Sequence, residues 1–393
     1  MPLPNSTPSY DTDLLIIGAG IHGAALAREA SARGWKVTVL EQYAESALGT
    51  SSKSSKLIHG GLRYLENLEI GLVRECLREQ RLLLNTAPHL VRSNRFIIPV
   101  TPQMKRPAWM IQLGLWLYFA LGGKRPTSEP AQAMQIDGLK TDAIQRCLVY
   151  HDAQTDDKPL TEAILHSANA MGAQIHYSTK PKSIVITEDG VQISTDQAQV
   201  IRARAIANLS GPWVNDILAQ VQPAQARAEI DLVQGSHIVL PDAPIQGCYY
   251  LEAEDQRVVF VMPWRGQRLV GTTEVNCDPQ TRQPVASEQE IEYLLRTHNH
   301  YFKQNFSRAQ VVDAWAGLRV LPKGVGQAFK RPRESIYQKN TPHRPRLISL
   351  IGGKLTSHRA TAEQLCQLFS PVMPAPVYKA NTRTQGLPIL NRK

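Results

Sequence analysis

Cysteine is scarce in this chain and unpaired in pattern. Its five cysteines, Cys76, Cys147, Cys248, Cys277 and Cys366, are scattered through 393 residues without a CxxC pair. That argues against a zinc knuckle, an iron-sulfur cluster and a disulfide framework, and it leaves reduced thiols and no expected metal. Long apolar runs are missing too: hydrophobic residues make up 42% of the chain, yet no stretch reaches the roughly 18 to 20 uninterrupted residues of a spanning helix. The N-terminus, MPLPNSTPSYDTD, has neither a basic nor an apolar leader region, so we expect a cytoplasmic protein. Acids are outnumbered, 34 against 44 Lys and Arg, for a formal charge of +10. The sign favours an anionic partner. Nucleic acid, an anionic membrane surface and a phosphorylated substrate all carry the right charge, and simple solubility explains it as well. With no RNA-binding motif and no dense Lys/Arg helix, nucleic acid is set aside.

The length predicts two interlocked domains. Residues 13–41 read DLLIIGAGIHGAALAREASARGWKVTVLE, an apolar run, a Gly-rich turn, a helical stretch and a β-branched run ending on an acid. In such a βαβ unit Gly18 permits the tight turn, Gly20 lets backbone approach a pyrophosphate, and Gly23 lets helix and strand pack closely. Glu41 follows at the distance where a carboxylate accepts hydrogen bonds from an adenosine ribose. A lone GxGxxG also fits an ordinary turn, but here five successive features agree on dinucleotide binding.

Residues 46–66, SALGTSSKSSKLIHGGLRYLE, are too rich in hydroxyls for a core helix and predict a loop over a ligand. Thr50, Ser51 and Ser52 offer hydroxyls to a pyrophosphate, and His59 and Arg63 bring a titratable imidazole close to a permanent cation. A solvated linker with a satisfied histidine is the plainer alternative. This wording, preceded by IIGAGIHGAA, resembles the FAD-dependent glycerol-3-phosphate dehydrogenase family. The resemblance runs in order from about residue 12 to about residue 370, through APHL (87–90), PAWMI (107–111), GPWV (211–214), GSHIV (235–239), VFVMPW (259–264), GTT (271–273) and GGKLT (352–356).

Elsewhere, residues 69–87 predict an amphipathic helix. Residues 109–121, WMIQLGLWLYFAL, are apolar all round and flanked by Lys105, Arg106, Lys124 and Arg125, so they read either as core or as a helix lying in a membrane interface. Residues 149–169 read as a helix with Asp152, Asp156 and Asp157 at its start. Residues 174–187 read as strand, and 204–211 as a strand rising into a glycine turn. Residues 228–273 read as antiparallel sheet, with His237, Tyr250 and Trp264 as candidate pocket linings or plain core. A helix follows over 288–302. The last signature, LISLIGGKLTSHRATAEQL, is a strand, a Gly-Gly turn and a helix whose N-terminus suits the flavin pyrimidine.

The resemblance implies an α/β fold, with an FAD-binding Rossmann-like domain of the glutathione-reductase/D-amino-acid-oxidase type and an antiparallel β-sheet substrate domain. The expected boundaries are 11–87, 146–227 and 311–375 for the first, 88–145 and 228–310 for the second, and a tail over 376–393. It implies oxidation of glycerol 3-phosphate to dihydroxyacetone phosphate by hydride transfer to flavin N5, with electrons passed to a quinone or another acceptor. Arg63 and Arg319 would hold the phosphate, with Arg333 a weaker third. His59 would be the base and His237 its alternate, while Lys354 and Thr356 stabilise the reduced flavin. FAD would touch Gly18, Gly20, Gly23, Glu41, Thr50, Ser51, Ser52, Lys56, Leu57, His59, Gly211, Gly353, Lys354, Leu355 and Thr356. Peripheral association with an anionic membrane and a homodimer are the other implied partners. The chain departs from the family pattern at Pro159, Glu274, Val320, Ser357 and His358, and its tail ends where a further helical domain is expected to begin. A related hydroxy-acid or amine oxidoreductase and a catalytically silent FAD-binding scaffold are the rival readings.

Overall fold

The strand Thr12–Ile17 is buried along almost its whole length, as a strand flanked by parallel neighbours and covered on both faces must be. Val37–Leu40 and Val200–Asn208 pair with it in parallel on either side. Gln174–His176 and Leu347–Ile351 extend the parallel core outward. A hairpin of Pro181–Ile186 and Val191–Thr195 joins antiparallel, and Val221–Gln222 and Ile336–Lys339 add two more strands, completing a nine-stranded sheet among the residues described in the computed structural model, namely 9–241, 245–324 and 335–390. Arg333 lies outside the described residues.

The helices are, in chain order, α1 (Ile21–Ala32), α2 (Ile70–Thr86), α3 (Ala108–Ala120), α4 (Asp157–Ala170), α5 (Val214–Leu218), α6 (Glu288–Tyr301) and α7 (His358–Phe369). Small residues dominate the buried surface of α1, including Ala24, Ala25, Ala27 and Ala30, so α4 and α7 pack directly against it. The segment after α7 is laid over the same helix. Val377 N–H donates to Arg33 O, the Trp35 indole to Pro374 O, and the buried Arg28 guanidinium to Thr382 O and Gln385 O.

Two compact units emerge. The first comprises Met1–Ser52, Asp157–Asp231 and Val320–Lys393, and the second Lys53–Asp156 and Leu232–Arg319. The second is built on a sheet of ten strands among the described residues. Val91–Val100 and Arg146–Thr155 pair antiparallel along their whole length. Alternation then sends neighbouring side chains to opposite faces: Phe96, Leu148 and Tyr150 join a core with Leu77 and Tyr118, while Ile97, Cys147 and Val149 join one with Leu294 and Phe302. On the latter side α6 opens on a capping box between Ser287 and Glu290, which satisfies two N-terminal donors.

Three expectations change. The sheet is mixed, because Cys248–Glu252 pairs in parallel with Val91–Val100. The helix expected over 149–169 begins only at Asp157; residues 146–155 are strand, and Asp152 is a buried strand residue, not a helix-start acid. Residues 53–87 and 146–156 fall in the second unit, since Leu57–Ile58 pairs with Gln154 and Ala153 and α2 buries Val73 and Leu77 in its core.

Candidate active site

In the first unit the Gly-rich turn is fixed by contacts that only glycine allows. Gly18 has a φ of +99°, and a β-carbon there would lie 2.8 Å from Leu209 O; a β-carbon on Gly23 would collide with the Gly18 carbonyl oxygen. The turn therefore presses the α1 N-terminus onto the strand ends. At that N-terminus Gly20 supplies no side-chain cap and the first turn holds no acid. Ser51 Oγ accepts from Ile21 N–H at 2.9 Å. Ser51 thus caps α1, and Ser52 closes its own turn by donating to Gly49 O.

Glu41 ends its strand with a buried carboxylate that accepts from Ala19 N–H at 2.7 Å and Tyr43 N–H at 3.0 Å. Burial raises its pKa above the usual range, while the backbone donors oppose that rise. A second glycine turn, with φ of +99° at Gly353, precedes α7, and a β-carbon on Gly353 would run into His22. His22 is driven down to about 3 by burial, then by the charges of His358 and Lys354. Its Nδ1 is buried without a hydrogen-bond partner among the described residues. Thr356 is buried, and Lys354 and Leu355 are half-buried, in the same turn. Gly211 has a φ of +59° and open space where its side chain would be.

In the second unit the sheet assembles a different cluster. His237 is buried and lies opposite Gly271 in the ladder. Its Nε2 is 3.0 Å from Ser55 Oγ, its ring stacks on Trp315 at 5.6 Å, and its Nδ1 has no hydrogen-bond partner among the described residues. Burial, then the charges of Arg319 and Lys56, hold its pKa well below the usual imidazole value, so it is neutral at pH 7. Lys56 is 3% exposed, and its ammonium lies 5.3 Å from the Trp315 ring centre and 5.9 Å from that of Trp264, a cation–π arrangement. Arg319 is held as a fork: Nη1 donates to Glu274 Oε1 at 3.0 Å and Nη2 to Thr272 Oγ1 at 3.1 Å. A β-carbon on Gly235 would sit 2.8 Å from Nη2, so a glycine is needed for the guanidinium to lie there.

Between these groups in sequence, His59 and Arg63 flank a turn made by Gly60 and Gly61, the latter at a φ of +77°. Both side chains are half-buried.

Residues 13–368 match the FAD dependent oxidoreductase family (DAO). The chain belongs to that family. It is 37% identical over 375 residues to a D-erythritol 1-phosphate dehydrogenase of Brucella abortus, covering 92% of this chain and 74% of that protein. It is also 37% identical over 388 residues to a glycerol-3-phosphate dehydrogenase of Pseudomonas aeruginosa, covering 94% of this chain and 74% of that one. A solved glycerol-3-phosphate dehydrogenase of Bacillus halodurans complexed with FAD matches the fold at a TM-score of 0.72 and 24% identity, over 93% of this chain and 66% of that chain.

As a DAO oxidoreductase the protein uses FAD. The first unit fits that cofactor: an α1 N-terminus with no acid in its first turn suits a pyrophosphate, and the buried Nδ1 of His22, unmatched among the described residues, marks a polar demand beside both glycine turns. Sequence reading placed the glycine turns, Glu41, Lys354 and Thr356 in this unit. Arg319, His237 and Lys56, expected from separate motifs, meet in one cluster of the second unit. It overlooked Ser55, Trp315, Thr272, Glu274 and His22 as members of these clusters. Ser55 and Thr272 lie inside the 46–66 and GTT motifs themselves, and that membership was the available signal. Nothing local marks Trp315.

Proposed function

We propose that this DAO oxidoreductase oxidises sn-glycerol 3-phosphate to dihydroxyacetone phosphate and passes the electrons to a quinone. The observation that carries the reading is the forked Arg319 beside the buried Lys56 and the neutral His237. A planar guanidinium held from two sides is preorganised for a phosphate dianion, and Arg63 supplies the second cation. Arg333 remains a weaker third candidate. Bound FAD supplies the two-electron acceptor for the substrate's C2 hydrogen.

The remaining work falls to side chains. His59 takes the C2 hydroxyl proton. His237 is the alternate base: it is neutral and able to accept a proton, but the Arg319 and Lys56 charges that depress its pKa also weaken its basicity. In the first unit Lys354 and the α7 N-terminus offset negative charge on the reduced cofactor, and Glu41 addresses the ribose.

A longer alditol phosphate such as D-erythritol 1-phosphate is the second reading, favoured by the 37% identity to a dehydrogenase of that substrate. Anaerobic mixing of the purified FAD-loaded protein with sn-glycerol 3-phosphate, D-erythritol 1-phosphate or glycerol, followed by flavin absorbance, tests both. Fast bleaching by the first compound is expected and faster bleaching by the second would transfer the assignment. Equal bleaching by glycerol would remove the phosphate role.

Peripheral membrane association belongs to the same proposal. Among the described residues no helix is long and apolar enough to cross a membrane. Only Leu115 and Tyr118 of α3 are buried, whereas Trp109, Met110, Leu113 and Trp116 are exposed, which favours the interface reading of that helix over the core reading.

A further inference from the structure

A carboxylate lies under the His59–Arg63 turn in the second unit. Asp152 is buried in the strand Arg146–Thr155, and three donors converge on its Oδ1: Tyr118 Oη at 2.7 Å, Gln80 Nε2 at 2.6 Å and the Gly60 N–H at 3.2 Å. Gly60 N–H is shared with Tyr118 Oη at 2.9 Å, and Gln80 Nε2 also donates to Ile58 O at 2.7 Å. The groups come from α2, α3 and the strand Arg146–Thr155, and all of them meet the backbone on the N-terminal side of the turn. A β-carbon on Gly60 would run into Tyr118 Oη, so the turn sits directly on the network. Burying a carboxylate is unfavourable unless its hydrogen bonds serve something. Burial pushes this one up to about 7, opposed only by its three hydrogen bonds. A protein needing only a filled core would place an apolar side chain here.

We propose that Asp152, with Tyr118, is a positioning residue that fixes the Gly60–Gly61 turn and so aims His59 and Arg63. The proposal deepens the phosphate-oxidoreductase reading and rests on it for the roles of those two side chains. The geometry works in both protonation states, because a proton on Oδ2 leaves Oδ1 an acceptor for all three donors. Asparagine can place its carbonyl oxygen at the same point; alanine cannot.

The test uses FAD-loaded protein and two readouts. Amide hydrogen exchange over residues 57–65 reports the turn directly. Affinity for 2-phosphoglycolate, which bears a phosphate but no hydroxyl to oxidise, is read from the perturbed flavin spectrum. Asp152→Ala is expected to speed exchange in this segment at least about tenfold and to weaken the analogue about tenfold, while Asp152→Asn stays within about twofold on both. The double variant Asp152→Ala/Arg63→Ala should bind the analogue no more weakly than Arg63→Ala alone, because one effect acts through the other. Multiplying effects would make Asp152 merely structural and overturn the proposal. Should Asp152→Ala fail to fold, Tyr118→Phe keeps the ring and removes one shared bond; it should change exchange in the same direction by less, and unchanged exchange there overturns the proposal equally. An Arg63→Ala protein with wild-type analogue affinity would sink the phosphate role of Arg63, leaving amide exchange alone to decide on Asp152.

Discussion

The two units achieve precision by opposite means. The first unit builds the heart of its cradle from one contiguous stretch, a strand, a glycine turn and a helix within residues 12–32, closed by Glu41, with the Gly353 turn brought against His22 from far along the chain. The second assembles its cluster from residues remote in sequence, with Ser55 against His237, Lys56 over Trp315, and Thr272 and Glu274 gripping Arg319. A contiguous motif fails all at once when its backbone is disturbed. A dispersed cluster should fail one contact at a time.

The harshest test of that contrast is Gly23→Ala. Its new β-carbon collides with the Gly18 carbonyl oxygen, and neither backbone can retreat without separating α1 from the sheet. We expect a loss of at least about 3 kcal/mol in stability together with the flavin colour. Gly20→Val is milder for the fold, because its neighbour is the Ser51 side chain at 3.0 Å; it should fold yet release FAD. A yellow, stable Gly23→Ala protein would break the account of the turn.

On the sheet side the expected losses are graded. His59→Ala should keep substrate affinity and slow flavin reduction by about 10²- to 10⁴-fold, a defect that shrinks as pH rises. If reduction is unchanged, the base role passes to His237. Arg319→Ala removes a guanidinium held by Thr272 and Glu274 and should reduce transition-state stabilisation by about 2 to 5 kcal/mol, read as kcat/KM. Arg319→Lys should not rescue it, because an ammonium cannot hold both partners and still present a planar face.

What could be read from sequence follows the same division. The glycine turn and Glu41 were legible because their spacing is a local requirement of backbone geometry. The cluster around His237 was legible only as separate motifs, since strand pairing decides which of them meet. Asp152 was misread for a physical reason: Asp156 and Asp157 do mark a helix start, and the strand before them, buried on both faces, lacks the period-2 signal of a half-exposed strand.

The buried acid gives a pH test of intermediate size. Asp152 has its folded pKa raised from about 4 in the unfolded chain to about 7. The folded state therefore holds a proton that the unfolded state has lost, and stability falls as pH rises between those values, then levels off. The ionisable groups around it, Tyr118, Tyr150 and Cys248, are all shifted upward and stay neutral through this range. Asp152→Asn removes the titration, so its stability relative to wild type should be about 2 to 4 kcal/mol more favourable at pH 8 than at pH 4. A constant difference across that range, measured by denaturant unfolding, would contradict a carboxylate whose burial outweighs its three hydrogen bonds.

The smallest expected effect concerns α3, whose two faces repeat the contrast in miniature. One side chain pair, Leu115 and Tyr118, ties the helix to the core, while Trp109 is 65% and Leu113 62% exposed. Arg125 lies 5.6 Å from the Trp116 ring centre, and Lys124 reaches Ser93, so cations border the apolar face. An apolar surface edged by cations matches the boundary between acyl chains and anionic headgroups. Each basic group near such a surface contributes about 1 kcal/mol, and salt screens it within a Debye length of about 10 Å. The protein should therefore sediment with anionic liposomes at low salt and only weakly with neutral ones, and rising salt should weaken the binding to anionic liposomes. Trp109→Ser with Leu113→Ser should reduce binding to both lipid types without altering FAD content, because neither side chain belongs to the buried core. Lys124→Glu should reduce binding to anionic vesicles alone. If the double serine variant sediments as wild type does, α3 is not the surface that meets the bilayer, and its exposed tryptophans require another partner.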